Sequence, residues 1–409
     1  MVKTYLTLMG LMVLTICRAQ EFEHYFTDET LRIDYTLAGN IERQAVYMDE
    51  MSIMEHWYGK KRNLGTVPME GNGQIIVRAH RGGEVIYRNS FSTLFQEWLT
   101  YDEARSTSKS FEHVSLIPMP KDTVDITVEL YDNRRELSAT MTHMVVPTDI
   151  LIRKKGENHT AYKTIGAAKD MDNSIKIAYV AEGYTSGEME TFIRDARKAM
   201  EALFEHSPFK ESRDRFNVVA VMTESAESGT SIPSQGIWRD TALKSHFDTF
   251  YSDRYLTTLH IKDLHDCLAG TPYEHIIVLV NTENYGGGGI LNNYNLSMTH
   301  HANFEQVVVH EFGHSFAGLA DEYFYDNELL DLYPTDVEPW EQNITTKVDM
   351  TGKPGMQKGE LIEGAGYRRY GIYRSYEHCR MRENEYPEFC PTCKEAIMRV
   401  IDFYTEAHP

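Results

Sequence analysis

A chain of 409 residues is too long for one ordinary core and is read as two domains. Its 61 acidic residues against 41 basic ones give a formal charge of −20. That excess disfavours nucleic acid or an anionic membrane surface as a partner, and no run beyond the first 20 residues is apolar and long enough to span a bilayer.

Residues 1–20 read as a secretory signal. Lys3 gives a positive start, Tyr5 to Ile16 is apolar but too short for a stable anchor, and Cys17-Arg18-Ala19-Gln20 ends it with a small residue. Its removal takes Lys3 and Arg18 away and leaves a chain near −22. The protein is therefore expected to be secreted, periplasmic or at the cell surface. A lipoprotein acylated at Cys17 ranks second, because Ile16 is bulky where that processing needs a small residue.

Residues 21–148 have the pattern of a small antiparallel β-sandwich. Thr30–Tyr35, Gln74–Arg78 and Asp125–Leu130 read as strands, separated by turns such as Arg81-Gly82-Gly83 and Tyr131-Asp132-Asn133. No catalytic cluster stands out there, and the unit is expected to support the second domain or present substrate to it. The polar stretch from about 149 to 174 reads as the linker and entry to that second domain, residues 149–409.

The second domain opens with a buried-type strand, residues 175–181. An amphipathic helix carrying Met189, Phe192, Ile193, Ala196, Met200, Leu203 and Phe204 follows. Further strands are expected at 216–221 and 276–280, with a helix from about Leu256 to Leu268 between them. Gly286 to Gly289 read as a flexible turn before a fourth strand, Ile290 to Met298, at the sheet edge. Alternation of strands and helices predicts a mixed sheet with crossover helices. The overall class is thus α+β in two domains.

The next helix carries the chemistry. His310-Glu311-Phe312-Gly313-His314 places two imidazoles four positions apart, on one helical face, so both can reach one metal ion. Glu311 sits on the flank of that face, where its carboxylate can meet a water without taking a ligand position. Two ring nitrogens, an open position and an adjacent base are the arrangement of a zinc hydrolase. Val307, Val308, Phe312, Phe316 and Leu319 make the helix a buried one, and buried histidines need partners. Asn303 is the expected N-cap, and Gly318 is expected to end the helix in a left-handed turn. A third protein ligand must come after His314.

The run from His310 to Tyr323, His-Glu-Phe-Gly-His-Ser-Phe-Ala-Gly-Leu-Ala-Asp-Glu-Tyr, resembles the signature of the immunoglobulin A peptidase (M64) family of zinc metallopeptidases, which are metzincin-like. The resemblance runs through residues 175–400, and the β-rich part resembles the family's companion domain. It implies a twisted mixed sheet, an active-site helix and a later methionine turn, with peptide hydrolysis on a Zn²⁺ ion and a protein or glycoprotein substrate. It further implies Asp321 as third ligand, with Glu322 the alternative, and Glu311 as general base. The common metzincin spacing puts the third ligand at position 320 and a glycine at 317, both alanine here, with glycine at 318. Cys379-Arg380-Met381 fits the family's turn, which would place Met381 beneath the metal as a packing residue. Tyr376 and Tyr386 flank it as candidates for steadying a transition state. His378 is read as structural, and His300 and His301 as solvated.

After export four cysteines remain, Cys267, Cys379, Cys390 and Cys393. An oxidising compartment favours a disulfide from Cys379 to Cys390 or Cys393, whereas the Cys390-Pro391-Thr392-Cys393 spacing also resembles half a zinc knuckle or a redox pair. Two other functions stay open: a surface binding module with a structural metal, and a zinc amidohydrolase acting on a cell-wall or glycan substrate. An intact Glu311 speaks against the first; only the cleft can separate the second.

Overall fold

The computed structural model describes residues 22–156, 159–325, 332–357 and 360–406. The signal segment and Cys17 lie outside the described residues. The fold is α+β, with antiparallel and mixed sheets.

Strands β1 (Phe26–Gly39), β2 (Gln44–Glu55), β3 (Gly73–Ala79) and β4 (Val85–Phe91) precede a short helix, α1 (Leu94–Trp98). Then come β5 (Lys109–Pro120), β6 (Val124–Tyr131), β7 (Leu137–Val145) and the two-residue β8 (Arg153–Lys154). They form two four-stranded sheets, ordered β5-β1-β2-β8 and β4-β3-β6-β7. Every second residue of β6 is buried, as a half-buried strand requires. Leu31, Ile33 and Tyr35 of one sheet share an apolar cluster with Ile75, Val77, Ile126 and Val128 of the other. The three strands expected in this region are present.

A six-stranded mixed sheet follows. Its strands are β9 (Tyr162–Gly166), β10 (Ile175–Glu182), β11 (Phe216–Val221), β12 (His275–Val280), β13 (Gly287–Ile290) and β14 (Tyr294–Met298), in the order β13-β14-β12-β10-β11-β9. The four inner strands are parallel, and an antiparallel strand closes each edge. β10 is buried at all eight positions, which suits a central strand covered on both faces. The amphipathic helix is α2 (Met189–Glu205), with all seven expected apolar residues buried. Helix α3 covers only Ile261–Leu268, because Thr257 bridges to His246 instead of joining it. The cluster that fills the sandwich runs on into Val278 and Leu296, so the two units share an apolar contact. The buried Arg32 of β1 adds an ionic tie, to the buried Asp34 and to the half-exposed Asp266 on α3.

Helix α4 (Phe304–Ala317) lies on the β13–β14 end of the sheet. The remaining elements are β15 (Ile344–Thr345), β16 (Ile362–Ala365) and β17 (Arg368–Arg374), which form a small antiparallel sheet, and α5 (Pro391–Thr405).

The edge of the mixed sheet differs from the sequence reading. Asn292–Met298 does not form the edge: β14 is paired on both sides, parallel to β12 and antiparallel to β13. The glycine run is itself the edge strand. A Cβ on Gly289 would sit 2.4 Å from the Glu311 carbonyl oxygen and 2.9 Å from the His314 Cβ, and one on Gly287 would sit 2.8 Å from Glu311 Oε1. Glycine is required because the strand and the histidine helix approach almost backbone to backbone.

Candidate metal centre and cleft

Val308, Phe312 and Phe316 bury one face of α4, where the Phe312 and Phe316 rings meet Phe209. The opposite face turns His310, Glu311 and His314 toward a cleft of about 1130 Å³. Gly318 ends the helix in the left-handed conformation (φ 56°, ψ 38°), with its N–H directed at the carbonyls of Gly313 and His314. At the other end the Asn303 side chain makes no capping hydrogen bond, and only its backbone carbonyl receives the Val307 N–H.

The Gly318 turn brings Asp321 back to the histidines. His310 Nε2 and His314 Nε2 are 3.1 Å apart, and Asp321 Oδ1 lies 3.0 Å from the first and 3.5 Å from the second. Each ring's other nitrogen faces a backbone carbonyl: His310 Nδ1 is 3.0 Å from Arg380 O, and His314 Nδ1 is 2.5 Å from Leu319 O. Those partners accept only, so each Nδ1 carries a proton, and a ring in its neutral form turns the Nε2 lone pair inward. Two ring lone pairs and a carboxylate oxygen thus converge, and apart from the two imidazoles no donor among the described residues reaches Asp321 Oδ1. Three acceptors at this spacing repel unless a cation lies between them. The edges of a tetrahedron with Zn–N and Zn–O bonds near 2.0–2.1 Å are about 3.3 Å, which matches the observed separations. The donor set suits zinc.

Without a cation, a proton is the substitute. Burial opposes charge on His314, but the Asp321 carboxylate outweighs it and raises the ring to about 9, and the two imidazoles hold Asp321 well below the usual carboxylate range against its own burial. Burial raises Glu311, with the neighbouring histidines pulling the other way.

Two residues invisible in the sequence complete the centre. Tyr367 donates its hydroxyl to Asp321 Oδ2, and the Gly366 N–H bonds the Asp321 carbonyl at 2.9 Å. Tyr367 holds φ at 66°, a conformation costly for a bulky side chain and here fixed by backbone bonds to Tyr323 and Tyr325. Glu97 reaches the cleft from α1, where Tyr255 donates to it at 2.6 Å and burial raises it to about 7. Asn72, Ser92, Thr93 and Tyr101 of the N-terminal unit also line the cleft. No sequence signal marks these residues, since their partners lie tens to hundreds of positions away.

Met381 is fully buried against Gly313, the residue between the two histidines, where a Cβ would meet its sulfur at 2.7 Å. Its carbonyl accepts the Glu322 N–H at 2.8 Å. Tyr376 and Tyr386 do not line the cleft; Tyr386 stacks on His378, which pairs with Glu383. His300 pairs with Asp195 at 3.0 Å and His301 accepts the Asn303 N–H, so neither joins the histidine pair.

Glu322 points away from the histidines and into a group formed with Cys379, Cys390 and Cys393. The expected disulfide is not formed. Cys379 Sγ and Cys393 Sγ stand 3.7 Å apart, because the three sulfurs gather around the Glu322 carboxylate.

Residues 164–362 match the family described as IgA Peptidase M64, and residues 21–142 match the one described as Peptidase M64 N-terminus. No curated protein matches the chain.

Proposed function

The chain belongs to the IgA peptidase M64 family and is a metallopeptidase by that membership, and we propose that it is an exported zinc endopeptidase with Glu311 as general base. In this reading residues 149–409 form a metzincin-like catalytic unit and residues 21–148 an accessory β-sandwich that supplies one wall of the cleft. The observation that carries it is the convergence of His310 Nε2, His314 Nε2 and Asp321 Oδ1 beside a wide cleft, with Glu311 at their flank.

His310, His314 and Asp321 would hold the zinc. When bound, the metal supplies Lewis acidity, polarising a peptide carbonyl and making water acidic near neutral pH. The protein does the rest. Glu311 Oε takes the proton of the attacking water and returns it to the leaving amine. Residues 287–290 line the cleft; the outer backbone groups of Gly287 are already taken by Arg254 and Leu256, so an extended peptide would pair with the strand beyond Gly287 and lie across the centre. Tyr367 fixes the Asp321 carboxylate in the orientation that leaves Oδ1 toward the histidines.

Glu97, Glu341, Glu383 and Glu385 line the cleft, which disfavours an acidic polymer as the substrate. The test is incubation of the zinc-loaded chain with a diverse peptide library, read by mass spectrometry. The proposal expects internal cuts that a chelator abolishes and zinc restores. Zinc-loaded chain that leaves every peptide intact would overturn it.

A further inference from the structure

We propose that this protein holds a second metal ion, a zinc closed off from solvent by Cys379, Cys390, Cys393 and Glu322. The four groups come from three separate segments: the turn after α4, the Met381 turn, and the start of α5. All four residues are buried, at 3% exposure or less.

The spacing fits a metal and not a disulfide. Cys379 Sγ and Cys393 Sγ are 3.7 Å apart, whereas a covalent bridge needs about 2.05 Å. Cys393 Sγ and Cys390 Sγ lie 3.1 Å and 3.8 Å from Glu322 Oε1. A tetrahedral zinc with bonds of about 2.3 Å to sulfur and about 2.0 Å to oxygen has edges of about 3.8 Å between sulfurs and about 3.5 Å from sulfur to oxygen. The observed separations scatter around those values, and the four candidate atoms all lie within 4.8 Å of one another.

The surroundings suit thiolates. Backbone N–H groups of Met381 and Cys390 point at Cys379 Sγ, at 3.4 Å and 3.2 Å. Cys390 caps the N-terminus of α5, and Pro391 occupies its first position, so the helix dipole favours negative charge on this pair. The Glu322 carboxylate has thiols and one amide as neutral partners, and a cation would compensate its buried charge better than those donors do. Glu322 Oε1 accepts from Asn343 at 2.9 Å, but Oε2 has no hydrogen-bond partner among the described residues. Arg374 senses the Glu322 charge yet donates to the carbonyls of Glu363, Gly364 and Tyr376.

Three thiolates and a carboxylate select zinc over harder cations, and four protein ligands leave no position for water. The ion is therefore structural. It pins the Met381 turn and α5 to the residue that directly follows Asp321, and so holds the floor of the cleft in register with the histidine helix. This inference does not rest on the catalytic reading.

The experiment is metal analysis of the purified full chain, followed by cobalt substitution. Two zinc ions per chain are expected in the wild type, one in Cys393→Ser and one in His314→Ala. Cobalt should give an intense thiolate-to-metal absorption in the near ultraviolet, retained in His314→Ala and lost in Cys393→Ser. Should Cys393→Ser fail to fold, the wild-type spectrum and zinc count decide alone. A single zinc in the wild type that vanishes with His314→Ala would overturn the proposal, as would a Cys379–Cys393 disulfide in peptide maps. If the catalytic reading fails instead, the thiolate absorption still appears.

Discussion

Gly289→Ala probes the fit between the edge strand and the histidine helix. The new Cβ would stand 2.4 Å from a backbone oxygen of α4 and 2.9 Å from the His314 Cβ. Neither atom belongs to a flexible side chain. Ordinary contact begins near 3.4 Å, so strand and helix must separate by about 1 Å. Overpacking of this kind costs about 1–3 kcal/mol. Losing a glycine from a strand returns about 0.5–1 kcal/mol, which leaves a net loss of up to about 2.5 kcal/mol. Because α4 carries both histidines, a displacement of about 1 Å should also lower activity by about 10²-fold. Guanidinium denaturation, zinc content and kcat/KM on model peptides read the three effects. Gly187→Ala is the control, since a Cβ there meets only the Thr185 hydroxyl at 4.0 Å. A Gly289→Ala protein with wild-type stability and full activity would refute the close-approach argument.

Tyr367→Phe removes the hydroxyl that bonds Asp321 Oδ2 and should weaken zinc affinity at the histidine centre by about 10–100-fold, measured by competition with a chromogenic chelator; unchanged affinity would remove Tyr367 from the centre. Burial holds His113 and His275 down at about 3, whereas both protonate near pH 6.5 in the unfolded chain. Their folded values are depressed, so the unfolded state binds more protons below pH 6.5 and stability falls as the pH drops from there toward 3. At pH 5 each histidine should cost about 2 kcal/mol, and His275→Gln should lose its share of the slope; stability that stays flat from pH 7 to 5 would contradict this.

The sequence displays what is local. His310 and His314 are four residues apart, Gly318 ends their helix and Asp321 follows three residues later, so the single short segment 310–321 contains the whole donor set. Strand periodicity in β6 and helical periodicity in α2 were likewise readable, because each buries one face. Long-range demands were not. Four glycines have little strand propensity, and only the approach of α4 explains why they form the sheet edge. Thr257 and Thr258 could extend α3 on paper, yet the bridge to His246 draws the chain away. Tyr367 and Glu97 reach the cleft from elements with no motif. Export favours a disulfide among the last cysteines, yet Glu322, the alternative third ligand, is what gathers their sulfurs instead.

Glu311→Gln tests the central claim most directly. It preserves shape and removes only the proton acceptor. The variant should keep its full zinc content while kcat/KM on a cleaved peptide falls by about 10²–10⁴-fold. A zinc-replete variant that turns over at the wild-type rate would contradict the account.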